Sequence, residues 1–429
     1  MQRSIGIGIL GAGTVGGALI RRLVDDHDVI AAKTALQLDV ARIAVRDATR
    51  RRAFTVPDGV LTEDAASVVT AGDVDLVVEV MGGVVPAGDL VLAALEAGKP
   101  VVTANKELIA SRGPELIAAA ERSGVPLLFE AAVGGAIPII RPLSETLAGE
   151  PVDRVLGIVN GTTNYILTEM AERGSTYGDA LAGAQEFGYA EPDPTADVSG
   201  ADAAAKAAIL ASLAFGTWVG LDDVYREGIE SISMVDVAFA ADFGYVIKLL
   251  AVAEREPAGV SARVHPVLLP VEHPLAAIRG ATNAIFIEGP SIESLLFAGP
   301  GAGGEPTATA VLGDVIDAAR EMLAGAQVAP RIRLSSADLV DFGDVSTKWY
   351  VRLEVDDRPG VLAQIAGAFG DSGVSIKSVW QDGEGSEAVL LIVTHRAYER
   401  DQRRAVAAIA GIEAVRHVAA VLRVESDEP

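Results

Sequence analysis

An acidic loop followed by a helix with a single lysine carries the residues best suited to chemistry. Residues 188–216 read GYAEPDPTADVSGADAAAKAAILASLAFG. Two prolines stiffen the loop, so the carboxylates of Glu191 and Asp197 lie on restricted backbone. The alanine-rich segment that follows favours a helix, which would carry Asp202 and Lys206. Carboxylates and an ammonium in this arrangement can hold a charged substrate or move a proton.

The phase of this helix places the charged pair on an apolar face. Helical spacing puts one set of residues on the same side: Asp202, Lys206, Ile209, Leu210 and Leu213. Alanines cover the opposite side, so the helix is expected to be buried. Buried charges are costly unless they are paired or in use. The pair therefore indicates either an active site or an ordinary structural ion pair at a partly exposed helix start.

The composition excludes several classes of function. The chain has 429 residues and a formal net charge of −24, which suggests two to three domains and disfavours a nucleic-acid or anionic-membrane binder. The absence of cysteine rules out disulfides, thiolate nucleophiles and cysteine-based zinc sites. Five scattered histidines lack metal-ligand spacing. Neither a spanning helix nor a signal peptide is predicted, so a cytoplasmic protein is expected.

A glycine-rich turn near the start predicts a dinucleotide site. Residues 4–10 read as a buried strand, Gly11, Gly13 and Gly16 follow in the pattern G-x-G-x-x-G, and a helix comes next. The first glycine permits the tight turn, and the second lets the backbone approach a pyrophosphate at the helix N-terminus. The strand–turn–helix context favours this interpretation over a turn without a ligand.

The end of the second predicted strand, at 40–45, bears on the choice of cofactor. NAD sites usually place an acid there to hold the ribose 2′-hydroxyl. Here Arg46 comes first and Asp47 second, with three arginines at 50–52. A guanidinium suits a 2′-phosphate. NADP(H) is therefore the expected cofactor, while Asp47 leaves NAD(H) open, and a solvated basic turn is the alternative interpretation.

Strands and helices alternate along the first part of the chain, which predicts a doubly wound parallel sheet. Ligands bind beyond the carboxyl ends of such strands. Lys106 follows the predicted strand 100–103 and is expected to point into that crevice, although an exposed lysine at a helix start is the alternative. The glycine-rich segment after Glu130 offers carbonyl oxygens to a hard cation, and a plain turn explains it as well.

The rest of the chain indicates a mixed α+β region and a small terminal unit. Strands are predicted at 152–160, near 226–233 and at 261–269, with a helix from 161 whose N-terminal amides suit a carboxylate. A glycine cluster at 299–304 precedes a helical run at 307–323. Residues 347–429 follow the order β-α-β-β-α-β, a ferredoxin-like arrangement with a turn at 382–385. This unit has no obvious catalytic residues, so an effector-binding or dimerising role is expected.

These patterns predict four regions. They are a nucleotide-binding domain at 1–140, to which the chain returns at about 299–325, a substrate-binding, catalytic and dimerisation domain at 141–298, a linker at 326–346 and a regulatory domain at 347–429. The fold class is α/β, with a Rossmann-like domain, an α+β domain and a ferredoxin-like domain.

Over nearly its full length the chain resembles the homoserine dehydrogenases. The matching stretches, in the family's order, are GILGAGTVGG, VVTANKEL, EAAVGGAIPII, NGTTNYIL, GYAEPDPTADVSGADAAAKAAIL and GPGAGG. NGTTNYIL and the long acidic segment are highly specific, whereas the G-x-G-x-x-G pattern is not. The C-terminal unit is similar to ACT domains, whose amino-acid sites often contain an Asp-x-Pro-Gly turn such as the one at 357–360.

The resemblance implies reversible reduction of L-aspartate 4-semialdehyde to L-homoserine with NAD(P)H, in threonine, methionine and isoleucine biosynthesis. It makes Lys206 the proton donor, Lys106 a second active-site lysine, and Glu191 and Asp202 the ligands of the substrate ammonium. Asp197 would be a further carboxylate, and Thr162 a further substrate contact.

The same resemblance implies ligands and partners. The cofactor would lie at Ala12, Gly13, Thr14, Val15, Arg46, Lys106, Gly188 and Gly301. A structural sodium ion would be held at Glu130, Val133, Gly135 and Ile137, the last three through carbonyl oxygens. Threonine or a related end product is the expected effector, bound near 357–360 or 371–376, and a homodimer or homotetramer is the expected assembly.

Three hypotheses remain open on sequence grounds. The chain is this dehydrogenase, a related aldehyde or amino-acid dehydrogenase with another substrate, or a catalytically silent sensor of NADP and an amino acid. The lack of cysteine disfavours an acylating aldehyde dehydrogenase. A sensor has no need of both Asp202 and Lys206.

Overall fold

The computed structural model describes residues 4–325, 332–334, 338–383 and 388–425. Its strands are β1 (Ser4–Leu10), β2 (Gln37–Ala44), β3 (Leu61–Thr62), β4 (Leu76–Glu79), β5 (Val101–Thr103), β6 (Leu127–Leu128), β7 (Arg154–Ile158), β8 (Tyr225–Arg226), β9 (Tyr245–Glu256), β10 (Gly259–Pro270), β11 (Thr282–Gly289), β12 (Glu293–Pro300), β13 (Ser346–Val355), β14 (Ile376–Asp382), β15 (Ala388–Thr394), β16 (Ala397–Tyr398) and β17 (Val415–Val424).

The α-helices follow the same numbering along the chain. They are α1 (Thr14–Asp25), α2 (His27–Thr34), α3 (Ala65–Thr70), α4 (Ala87–Glu96), α5 (Lys106–Ser123), α6 (Gly161–Arg173), α7 (Tyr177–Glu186), α8 (Thr195–Val198), α9 (Ala201–Phe215), α10 (Met234–Asp242), α11 (Gly304–Ala324), α12 (Val361–Asp371) and α13 (Glu399–Ala410). No helix within the described ranges is long and apolar enough to cross a membrane. Residues 384 and 385 of the predicted turn, and parts of the predicted linker 326–346, lie outside the described residues.

Contacts divide the chain into two compact units. The first comprises Met1–Pro151, Ala208–Leu221 and Gly289–Ser336, and the second comprises Val152–Ala207, Asp222–Glu288 and Ala337–Pro429. The first unit contains a six-stranded parallel sheet in the order β3-β2-β1-β4-β5-β6. This is the order of a dinucleotide-binding sheet, with its switch point between β1 and β4. The predicted Rossmann-like doubly wound sheet is therefore confirmed.

Buried aliphatic residues explain why the first unit holds together. Alternate residues of β1 (Ile5, Ile7 and Ile9) are each at most 1% exposed and lie in one core with α1 and α11. The long helix α11 joins this core through Val311 and Val315, as an amphipathic helix with an apolar stripe does. The predicted helical run at 307–323 is confirmed with slightly wider bounds.

The second unit contains a mixed sheet in which eight strands run in the order β11-β7-β9-β10-β17-β13-β15-β14. The long hairpin β9–β10 is its centre, and β9 was not predicted from sequence. The predicted strand near 226–233 is wrong, because only β8 forms there. The strand ends where Gly228 lies against the backbone of Val198: a Cβ on Gly228 would be 2.3 Å from that carbonyl oxygen.

The C-terminal module, residues 346–424, has the predicted order β13-α12-β14-β15-α13-β17 with the short strand β16 beside β13. The ferredoxin-like arrangement is confirmed. Its last strand also pairs in parallel with β10, Val267 opposite Arg423. The sheet therefore continues from the central hairpin into this module.

Candidate active site

Lys206 and Asp202 form a buried pair on α9, as the helical phase predicted. Lys206 Nζ donates to Asp202 Oδ2 and to the carbonyl oxygen of Val159, both at 2.6 Å. Lys206 is 9% exposed. A buried ammonium is costly without partners, and these two acceptors provide them. The pair lies at the end of β7, where Val159 follows the strand.

Asn160 connects this pair to a second carboxylate. Its side-chain amide donates to Asp202 Oδ2 at 2.9 Å and to Asp197 Oδ1 at 2.7 Å. Its Oδ1 caps α6 by accepting from the backbone N–H of Thr163. Thr162 Oγ1 lies 3.2 Å from Asp197 Oδ2. Two carboxylates, an amide, a hydroxyl and an ammonium thus meet at the N-terminus of α6.

Burial and a neighbouring charge disfavour ionisation of Asp197, one of the two acids of this cluster. Burial raises the pKa of Asp197 above its usual value, and the neighbouring charge of Asp202 adds to that effect, while hydrogen bonds from Asn160 and Thr162 oppose it. An added cation relieves the repulsion between two carboxylates. The site is therefore suited to an ammonium group.

Glu191 and Gly188 lie on the loop before α8. Gly188 has φ of +74°, a left-handed conformation that glycine adopts without strain. Glu191 is exposed, and its backbone carbonyl oxygen accepts from Gln185 at 3.3 Å. Within the described ranges no hydrogen bond joins Glu191 to Lys206.

The glycine-rich turn of the first unit has room for a pyrophosphate. Gly11 has φ of +104°, and a Cβ on Gly16 would lie 2.2 Å from the Gly11 carbonyl oxygen. A Cβ on Gly13 would meet no described atom within 4 Å. Gly11 and Gly16 are therefore required by the fold, whereas Gly13 leaves space that a ligand can use. Because residue 13 has no side chain, the first N–H groups of α1 are uncapped.

The second glycine cluster lies beside this turn. A Cβ on Gly304, the first residue of α11, would be 3.1 Å from the carbonyl oxygen of Thr14, the first residue of α1. Gly301 in turn lies against Gly135, whose Cβ would be 2.6 Å from the Gly301 carbonyl group. The N-termini of α1 and α11, with their positive dipole ends, are therefore neighbours.

A buried network fixes the start of α5, where Lys106 lies. Glu79 is fully buried at the end of β4, accepting from the N–H of Met81 at 2.7 Å and from Thr103 Oγ1 at 2.6 Å. Thr103 accepts from the N–H of Asn105, and Asn105 caps α5. Lys106, the next residue, is half-buried. The carboxyl ends of β4 and β5 thus hold this lysine's backbone.

Arg46 and Asp47 differ in what they offer a cofactor. Arg46 is exposed just beyond β2 and has no ion-pair partner among the described residues. Asp47 Oδ1 accepts from the N–H and the hydroxyl of Thr49, at 2.8 and 2.6 Å, and these bonds lower the pKa of Asp47. The Asp47 carboxylate therefore forms its hydrogen bonds within its own turn, whereas the exposed Arg46 guanidinium can bind a ligand.

The Glu130 side chain closes the loop that follows it. Its carboxylate accepts from the N–H groups of Ile139, Ile140 and Arg141 at 2.6 to 3.0 Å. No hydrogen bond within the described ranges ends on the carbonyl oxygens of three buried residues of the loop: Val133, Gly135 and Ile137. Buried carbonyl oxygens without donors suit a hard cation.

Comparison with known proteins places the chain in a family. Sequence profiles of homoserine dehydrogenase, of the homoserine dehydrogenase NAD binding domain and of the ACT domain match residues 138–316, 11–130 and 349–414. A homoserine dehydrogenase of Corynebacterium glutamicum is 47% identical over 429 residues, covering 99% of this chain and 96% of that protein. The chain belongs to the homoserine dehydrogenase family.

Solved structures of homoserine dehydrogenases share this fold. A homoserine dehydrogenase from Thiobacillus denitrificans is 39% identical with a TM-score of 0.93, covering 99% of each chain. A hyperthermophilic archaeal homoserine dehydrogenase, solved in complex with NADPH, is 27% identical with a TM-score of 0.61, covering 76% of this chain and all of that one.

Two polar residues of this homoserine dehydrogenase family member were missed by sequence reasoning. Asn160 joins the two carboxylates, and Glu79 organises the strand ends before Lys106. The signal for Asn160 was its place at a predicted helix start, where asparagine is a favoured cap. Glu79 had a weaker signal, an acid ending an otherwise apolar strand, which a buried parallel sheet does not tolerate without partners.

Proposed function

We propose that this chain catalyses the reversible NAD(P)H-dependent reduction of L-aspartate 4-semialdehyde to L-homoserine. The observation that carries the proposal is the buried Lys206–Asp202 pair joined by Asn160 to Asp197. Family membership supports it, because the matched relatives carry this activity in their names. The cluster combines a proton donor with carboxylates that suit the ammonium of an amino acid.

The reduction needs a proton donor, and we assign that role to Lys206. A bound nicotinamide supplies the hydride, which leaves negative charge on the aldehyde oxygen. Lys206 Nζ donates a proton to that oxygen, a contribution of roughly 10²–10⁴-fold for a well-placed general acid. Asp202 holds the ammonium in position, and the proton is returned from solvent. In the reverse direction the neutral amine accepts the hydroxyl proton of homoserine.

The acidic residues are proposed to select the substrate. Asp202 and Glu191 receive the substrate ammonium, with Asp197 adding negative charge nearby. Thr162 and those N–H groups at the start of α6 that the Asn160 cap does not bind offer hydrogen bonds to the substrate carboxylate. Lys106 is proposed as the second active-site lysine.

We assign the cofactor to the glycine-rich turn of the first unit. The proposed contacts are Ala12, Gly13, Thr14, Val15, Arg46, Lys106, Gly188 and Gly301. The space at Gly13 and the uncapped start of α1 support the pyrophosphate position. The available guanidinium of Arg46 favours NADP(H) over NAD(H), since a 2′-phosphate pairs with arginine.

We further propose a structural sodium ion at Glu130, Val133, Gly135 and Ile137, the last three through their carbonyl oxygens. The buried carbonyl oxygens of Val133, Gly135 and Ile137, which accept no hydrogen bond within the described ranges, support it, and the Glu130 carboxylate also binds three backbone N–H groups. Exchanging sodium for a bulky organic cation should lower the unfolding temperature. An unchanged temperature would argue for a plain loop.

The proposed physiological setting is a cytoplasmic homodimer or homotetramer in threonine, methionine and isoleucine biosynthesis, with threonine or a related amino acid acting at the ACT domain. Titration of the full chain with threonine in a calorimeter tests the effector, and sedimentation tests the assembly.

The direct test of the activity is turnover of homoserine with NADP+ and NAD+ by the purified chain. Formation of reduced cofactor, with NADP+ the better substrate, is the expected result. Binding of NADPH without turnover of homoserine would favour a sensor. Turnover of another amino alcohol but not of homoserine would favour a related dehydrogenase.

A further inference from the structure

The end of the acidic loop rests on a segment from another part of the second unit. The N–H of Ile229 donates to the carbonyl oxygen of Val198 at 2.9 Å. A Cβ on Gly228 would lie 2.3 Å from the same oxygen. Because Val198 follows Asp197 directly, a shift of residues 227–229 must shift the carboxylate that Asn160 holds.

The C-terminal module holds this segment through Glu227. The Glu227 carboxylate forms an ion pair with Arg423 of β17 and accepts from the Tyr225 hydroxyl. Its own N–H donates to the carbonyl oxygen of Val264 at 2.7 Å. Tyr225 stacks on Phe342 with ring centroids 4.1 Å apart. Both the carboxylate and the backbone N–H of Glu227 are therefore held in place.

The position of Arg423 is in turn set inside the module. Its guanidinium makes a two-pronged contact with Glu399, both distances 3.0 Å. Glu399 is fully buried and also accepts from Thr347 Oγ1 and Trp349 Nε1, at 2.5 and 2.8 Å. Because Glu399 binds two nitrogens of the planar Arg423 guanidinium, the direction of the third nitrogen, Nη1, is fixed as well. That direction leads to Glu227.

We propose that Glu227 is a positioning residue for the acidic loop, and that Arg423 holds it in place. The ion pair between Arg423 and Glu227 then connects the C-terminal module to the position of Asp197, whether or not the module has a ligand bound. This inference rests on the proposed function, since it gives the acidic loop the task of holding the substrate. Its effect falls on the amino-acid end of the site and not on the glycine-rich turn.

Two variants break the connection from Arg423 through Glu227 to Val198 at different points. Glu227→Gln removes the ion pair but leaves Arg423 bound to Glu399, and the Glu227 side chain is already 31% exposed. Gly228→Ala leaves the ion pair intact and forces a Cβ against the Val198 carbonyl oxygen. Both are expected to raise KM for homoserine about five- to tenfold, while KM for NADP+ stays within about twofold.

Glu354→Gln is the matched control. Glu354 pairs at 3.9 Å with Arg352, a buried arginine that also holds the fully buried Asp236. The arrangement repeats that of Arg423, with one buried and one more exposed carboxylate. No hydrogen bond in the described part of the chain joins Glu354 to residues 198 or 227–229. This variant should leave both KM values unchanged.

Hydrogen exchange gives a readout that needs no turnover. Peptides covering residues 193–200 should exchange faster in Glu227→Gln than in the wild type or in Glu354→Gln. Unchanged exchange there, or a KM for homoserine within about twofold of wild type in both test variants, would overturn the inference. A wild type that does not turn over homoserine would contradict the proposed function instead, and the exchange comparison would still decide the positioning role.

Discussion

Replacing Lys206 by methionine separates its chemical role from its structural one. The substitution keeps the length and apolar stem of the side chain but removes the ammonium. Turnover of homoserine is expected to fall roughly 10²–10⁴-fold, the loss for a missing general acid, which is about 3–5.5 kcal/mol on the barrier. The Kd for NADPH should change little, because the cofactor residues lie elsewhere in the sequence.

The same change removes the ammonium that pairs with Asp202. The Asp202 side chain is 11% exposed and would keep the amide of Asn160, at 2.9 Å. Breaking a buried pair in this way costs about 3–5 kcal/mol of stability. Adding Asp202→Asn should recover most of that loss, since neither position 202 nor position 206 is then charged and the Asn160 amide can still bond to position 202, but it should recover no activity.

Urea unfolding, steady-state kinetics and NADPH titration of the single and double variants check this reasoning. Activity that returns with stability in the double variant would show that the pair is structural only. A single variant with turnover within about tenfold of wild type would refute the role of Lys206 as proton donor.

Three further predictions follow from other parts of the site. Arg46→Ala should raise KM for NADPH about tenfold or more and leave KM for NADH nearly unchanged, a comparison that steady-state kinetics makes directly. Asp197→Asn should raise the unfolding temperature near neutral pH, because the raised pKa of Asp197 means that its ionisation opposes folding. This gain in unfolding temperature should shrink as the pH falls through that pKa. KM for homoserine should rise in the same variant. Thr103→Val should cost about 1–3 kcal/mol in urea unfolding and lower kcat, because Glu79 and the Asn105 N–H both lose a partner, whereas Thr103→Ser should behave as wild type.

Local patterns predicted the elements of the site but not how distant residues meet. The i,i+4 spacing of Asp202 and Lys206 placed them on one face, and the ion pair at 2.6 Å confirms it. The contact of Asn160 with both carboxylates joins residues 37 and 42 positions apart. No periodicity reports such a contact, because it depends on how β7 and α9 pack.

The two errors in the strand prediction have different physical reasons. The apolar run near 226–233 suited a strand, yet tertiary packing of Gly228 on Val198 ended it after two residues. The hairpin strand β9 was missed because its near-continuous apolar run, YVIKLLAVAERE, lacks the alternation of a half-buried strand. The bonds from the Ile139 and Ile140 N–H groups to the Glu130 carboxylate are contacts that the sequence pattern does not report.

A crystal structure of the chain with NADP+ and L-homoserine tests the central claim most directly. The account predicts Lys206 Nζ at about 2.6–3.2 Å from the side-chain hydroxyl of homoserine, directly or through one water, with Asp202 still bound to the ammonium of Lys206. A hydroxyl held by other groups, with Lys206 turned away from the nicotinamide, would contradict it.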